Sequence, residues 1–217
     1  MRVLFLACLA VLGRAGLALE TSPRALSRRA AFQGASALLT GVGLEKEGRQ
    51  PTHLRGMSLS EAAKFPGDAW PMAMYPDPIL RREAKRVQQS YFKFPTSQTL
   101  AIVARKLEAT CRKEGAVGLA AQQCGVDASI VYLEDTGGGG KEGLVLINPR
   151  IVDRSPEKDM KVWREFCLVL PPDIKVTLLR DAVVTVNFED LDGNTTSRTL
   201  VGEAARALQH EMDHDRG

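Results

Sequence analysis

Gln209-His210-Glu211-Met212-Asp213-His214 is the stretch from which the rest of the chain is best read. Two histidines four residues apart on a helix project from the same face and can grip one metal ion between them. The run leading into it, Gly202-Glu203-Ala204-Ala205-Arg206-Ala207-Leu208, is rich in helix formers and contains no proline, so a helix through His214 is predicted. Glu211 then sits beside the metal, where a carboxylate need not be a ligand and can carry a proton from water to a leaving group. His-Glu-x-x-His also arises by chance on charged helices, so the pair alone does not settle the chemistry.

A third ligand narrows it. Metalloproteases of the zincin type take theirs from a downstream His or Glu; the sequence given closes at Gly217, so the ligand is expected upstream. The only other histidine, His53, lies in a polar segment, which leaves the cysteines and carboxylates. Cys167 stands in Glu165-Phe166-Cys167-Leu168-Val169-Leu170-Pro171, and a thiolate with two imidazoles leaves the fourth tetrahedral position open, as a catalytic metal requires. Cys111 and Cys124 have no such setting and read as small buried hydrophobes.

The His-Glu-x-Asp-His helix preceded by Gln209, the Glu-x-Cys-Leu stretch at 165–168 and Val117-Gly118-Leu119-Ala120-Ala121-Gln122-Gln123 together resemble the three motifs of peptide deformylases, in their order and approximate spacing. Tyr75-Pro76-Asp77-Pro78-Ile79-Leu80-Arg81 and Ile147-Asn148-Pro149 add to the likeness, which covers roughly residues 70 to 217. The resemblance implies that Cys167, His210 and His214 hold one divalent ion, ferrous iron being expected and zinc the alternative, and that Glu211 is the general acid/base. It further implies that the Gln123 side-chain amide and the Leu168 backbone N–H meet the oxygen of a formyl carbonyl. The reaction implied is removal of the formyl group from the N-terminal methionine of nascent chains, near organellar ribosomes.

The chain before that domain reads as a leader. Met1 to Leu19 has Arg2, an apolar run from Val3 to Leu12 and small residues at Gly16 and Ala18, like a secretory signal peptide, and is short for a membrane span. Residues 20 to 44 carry Arg24, Arg28 and Arg29 among serines with Glu20 the only acid, like a transit peptide. Together they resemble the bipartite leaders of plastid proteins imported through the secretory route, with a plain mitochondrial or plastid presequence as the alternative. Residues 45 to 68 read as a linker with a short helix at Ser60 to Lys64, and the domain is placed at 69–217. Of 29 Lys and Arg and 26 Asp and Glu, 9 and 4 fall at or before Lys64, leaving 20 and 22, a net of −2. The basic balance therefore belongs to the leader, and neither nucleic-acid binding nor a membrane span in the mature part is expected.

Within the domain, apolar residues at Leu100, Val103, Leu107 and Cys111 predict a helix over Thr99 to Glu114, ended by Gly115. Ser129–Leu133, Leu144–Val152, Lys175–Leu179, Val183–Phe188 and Thr195–Val201 read as strands, with turns at Gly137 to Gly140 and Asp192-Gly193. The tetraglycine is read as a loop tip, and Gly118 to Ala121 lacks the spacing of a dinucleotide loop. The expected fold is α+β, antiparallel sheets packed around the central metal-binding helix. Two departures from the family stand out. Phe166 replaces a glycine before Cys167, adding a Cβ restriction and aromatic bulk, and Val169 replaces a serine. They keep a second reading open, a metal-binding accessory protein with weak or no activity; a third, a metalloprotease, fits the ligand set poorly. The short ending after His214 is read as either a truncation or a short form.

Overall fold

The computed structural model describes residues 56–134 and 143–217, and at its centre Ile130-Val131-Tyr132-Leu133 form a strand buried on both faces. The leader, His53 and the turn expected at Gly137 to Gly140 lie outside the described residues. Among the described residues there are three α-helices: α1 (Leu59–Lys64), α2 (Thr96–Glu114) and α3 (Glu203–Arg216). Seven strands accompany them within the same described residues: β1 (Gly118–Ala120), β2 (Ile130–Leu133), β3 (Leu144–Arg154), β4 (Lys161–Phe166), β5 (Lys175–Arg180), β6 (Val183–Glu189) and β7 (Thr195–Val201). All pair antiparallel, in a five-stranded sheet of order β1-β2-β3-β6-β7 and a separate ribbon of β4 and β5. The architecture is α+β, as expected.

Alternation along β2 sends Ile130 and Tyr132 into one core with Leu100, Val103 and Leu107 of α2, and Val131 and Leu133 into another with Ala205, Leu208 and Met212 of α3. A strand covered on both sides reads as an unbroken apolar run, and each of its large side chains stabilises the fold by roughly 1.5–3 kcal/mol. A third cluster, Ala73, Ile79, Leu80, Val169, Leu170 and Val176, seats the ribbon on the N-terminal segment.

The predicted strands are present with ends within two residues, and α2 begins at Thr96 instead of Thr99. Gly115 ends α2 in the left-handed region (φ 66°), its amide reaching the Arg112 and Cys111 carbonyls. β4 went unforeseen, because Lys-Val-Trp-Arg-Glu-Phe has no alternation of apolar and polar residues. Residues 57–65, inside the stretch read as a linker, belong to the packed domain. Ser58 and Glu61 form a reciprocal cap on α1, Leu59 and Ala62 are buried, and the Met57 amide donates to the Gly125 carbonyl (2.8 Å). Among the described residues no helix is long and apolar enough to cross a membrane.

Candidate metal centre

Helix α3 presents His210 and His214 on one face, and the turn after β4 brings Cys167 to them, closed by the Leu170 amide on the Cys167 carbonyl (3.2 Å). Ligand atoms of Cys167, His210 and His214 all lie within 4.8 Å of one another, with Cys167 Sγ 3.1 Å from His214 Nε2. A tetrahedral ion with ordinary bond lengths sets such atoms about 3.4–3.6 Å apart, so the three residues fit one ion with small adjustments. Burial, followed by the neighbouring His210, pushes the His214 imidazole well below its ordinary pKa, which leaves a neutral ring with a lone pair to give.

The residue that orients this set was not singled out from sequence. Glu165, two before Cys167, is almost wholly buried, and its Oε2 lies 2.8 Å from His210 Nδ1. That contact fixes the ring so that Nε2 is the atom left to face the centre. Arg180 clamps the same carboxylate with two bonds, Nε to Oε1 (2.9 Å) and Nη2 to Oε2 (2.8 Å), and extends Nη1 to Asp213 Oδ2 (2.6 Å) on α3. Burial alone would raise the Glu165 carboxyl, but the bonds from His210 and Arg180 and the charge of Arg180 hold it down at about 2. A signal existed, a carboxylate one strand period before a candidate ligand, but only with β4 recognised does that place it facing inward.

Glu211 is buried beside His210, with its Oε2 bonded to no protein group. Burial raises its pKa, partly offset by His210 and Arg206. Gly118 makes room for it: a Cβ there would come to 3.1 Å from Glu211 Cγ and 3.0 Å from Leu133 Cδ2. Gln123 lies in the 3-10 turn Ala121–Cys124, and its Oε1 accepts from the Ala120 amide (2.8 Å), which leaves its NH2 group to offer. Gln123, Leu168, His210 and Glu211 line one open cleft of about 450 Å³. Cys111 and Cys124 are buried away from it, and burial pushes the Cys111 thiol up to about 12, as befits packing residues.

The two departures take on a different meaning here. Phe166 occupies ordinary extended backbone at the end of β4, paired with Lys175, so the restriction expected at this position is absent; among the described residues Asn148 alone of the non-glycines has positive φ. The residue is 61% exposed at the cleft, with Lys175 Nζ 5.0 Å from its ring centroid, so only its bulk is left to bear on a substrate. Val169 points into the apolar cluster under the ribbon, where a hydroxyl would have no evident use.

The polypeptide deformylase family model matches residues 70–217, the span that builds this cleft. The chain belongs to the polypeptide deformylase family. A peptide deformylase of Desulforudis audaxviator is 38% identical over 143 residues, 66% of this chain and 85% of that protein. The chloroplastic peptide deformylase 1B of Oryza sativa subsp. japonica is 32% identical over 144 residues, 66% of this chain and 50% of its own length. Among solved structures, the deformylase of Thermotoga maritima superposes with a TM-score of 0.59 at 31% identity, covering 68% of this chain and 91% of that one. A class I type b deformylase from Acinetobacter baumannii, solved with Met-Ala-Ser bound, gives 0.59 at 26% identity, covering 68% and 92%. Deformylases are metal-dependent, and the donor set described above suits that requirement.

Proposed function

We propose that this deformylase removes the formyl group from the N-terminal methionine of nascent organellar polypeptides, releasing formate and a free amino terminus. The observation that carries the reading is the meeting, in one cleft, of the Cys167, His210 and His214 donor set with an unpartnered Glu211 carboxylate oxygen and the Gln123 amide. Cys167, His210 and His214 would hold one divalent ion, ferrous iron by preference, since a thiolate and two imidazoles suit it, with zinc as the alternative. When bound, the ion supplies Lewis acidity toward water and the formyl carbonyl. Glu211 accepts the proton of the attacking water and delivers it to the departing amine, a task suited to a buried carboxyl of raised pKa. The Gln123 NH2 group and the Leu168 N–H donate to the oxygen on which negative charge develops. Glu165 keeps the His210 ring turned to the centre.

Formate release from formyl-Met-Ala-Ser by iron-loaded protein lacking residues 1–44, under anaerobic conditions, tests this. Glu211→Gln should keep its iron and lose at least about a hundredfold in turnover. A fully loaded protein that releases no formate would overturn the reading. Residues 1–19 and 20–44 direct the protein to a plastid through the secretory route; the rice chloroplastic relative supports the plastid destination alone. A reporter carrying residues 1–60 should lose plastid delivery when 1–19 are deleted; unchanged delivery would favour a plain presequence, mitochondrial or plastid.

A further inference from the structure

One wall of the catalytic cleft is unexpectedly rich in hydrogen-bond donors. One turn back from His210 on the same face of α3 stands Arg206, a further turn back stands Glu203, and both line the cleft together with Trp163 of β4. The Arg206 side chain is only 11% exposed. Its Nε and Nη2 donate to Glu203 Oε1 (3.1 and 2.7 Å), whereas Nη1 finds only Glu165 Oε1 at 3.8 Å, beyond hydrogen-bond range. Glu165 is already engaged by Arg180 and His210. The Arg206 guanidinium lies over the Trp163 ring, 6.0 Å from its centroid, and the Trp163 Nε1–H is buried without an acceptor. Two side chains in mutual contact on one cleft wall thus each hold a donor with no protein acceptor in hydrogen-bond range, and the Trp163 N–H, buried in that condition, destabilises until something accepts from it.

We propose that Arg206, together with Trp163, is a specificity-determining residue, and that the cleft favours formyl-peptides whose first side chain ends in a hydrogen-bond acceptor. The inference rests on the deformylase reading given above. Among side chains of methionine's length, norleucine ends in hydrocarbon, methionine offers a thioether that is a weak acceptor, and methionine sulfoxide offers a full acceptor oxygen. The order of preference is therefore sulfoxide, then methionine, then norleucine. A purely apolar wall would instead treat methionine and norleucine alike and reject the sulfoxide.

The test compares kcat/KM for formyl-Met(O)-Ala-Ser, formyl-Met-Ala-Ser and formyl-Nle-Ala-Ser with the metal-loaded protein. The sulfoxide should exceed norleucine by about tenfold, as one hydrogen bond to a charged donor allows. In Arg206→Met, which keeps length and packing but no donor, that ratio should fall to about one or below, and Trp163→Phe should lower it by a smaller factor. Because each ratio is taken within one preparation, partial loss of folded protein cancels. Norleucine matching the sulfoxide in the unsubstituted protein, or a ratio unmoved by Arg206→Met, overturns the proposal. Should none of the three peptides release formate, the deformylase reading itself fails. Calorimetric affinities of the three unformylated peptides then decide the preference, and norleucine binding as tightly as the sulfoxide sinks it.

Discussion

Glu165→Gln is the substitution that most directly probes how the metal centre is held. The glutamine keeps the shape but offers one acceptor oxygen where the carboxylate offers two, and those two now serve Arg180 twice and His210 once. Whichever way the amide turns, its NH2 confronts a buried N–H of Arg180 or of His210. The Arg180 and Glu165 side chains are 9% and 1% exposed, so solvent cannot take over. Removing one partner of such a pair costs about 3–5 kcal/mol; Asp213, still bonded to Arg180 Nη1, keeps the guanidinium partly neutralised and sets the expectation near 3 kcal/mol. For a domain of this size that is a fall in Tm of roughly 6–12 °C. The same change releases the His210 ring and should weaken metal binding about 10- to 100-fold. Thermal melts by circular dichroism and chelator competition measure the two effects separately. A Tm within about 2 °C of the parent together with unchanged metal affinity would refute the idea that this carboxylate braces the centre.

Three further outcomes are expected. Cys167→Ala should lose its metal on dialysis while Cys111→Ala retains it, since Cys111 is packed in the α2 core; metal content by elemental analysis decides, and full occupancy in the Cys167 variant would remove it from the ligand set. Gly118→Ala places a methyl group against Glu211 and Leu133 and should cost about 1–3 kcal/mol in stability and lower kcat, so a variant that melts and turns over like the parent would show that the contact yields freely. Phe166→Gly should raise kcat/KM toward formyl-Met-Ala-Ser by about tenfold by clearing the cleft mouth, while Val169→Ser, which leaves a hydroxyl in the apolar cluster, should only destabilise by about 1–3 kcal/mol; steady-state kinetics and melts on the single variants separate the two.

What could be read from sequence was what repeats with a period or sits in a short motif. The stripe from Leu100 to Cys111, the unbroken run of β2 and the four-residue spacing of His210 and His214 all carry their geometry locally. Glu165 and Arg180 do not, because their meaning lies in a pairing across the β4–β5 ribbon, and Lys-Val-Trp-Arg-Glu-Phe hides its inward position behind an exposed Val162 and Phe166. Asn148 is a similar case. It stood out as part of a family-like tripeptide, yet its positive φ and its two bonds to the backbone of Val87, at 2.8 and 2.9 Å, become visible only once a segment 61 residues away is alongside. The backbone restriction foreseen at Phe166 is absent for a related reason: the extended backbone of β4 suits a phenylalanine as well as a glycine, which leaves only the bulk of the ring.

The β4–β5 ribbon shares no strand pairing with the five-stranded sheet, and that separateness has a thermodynamic side. The thiol of the centre belongs to the segment that follows β4, and the imidazoles belong to the helix under the main sheet, so the three donors meet only while the two pieces stay docked. An ion shared between them acts as a clasp whose binding free energy is also docking free energy. Amide hydrogen exchange in β4 and β5 should therefore slow on metal loading far more than exchange in β2, which is already locked between two cores.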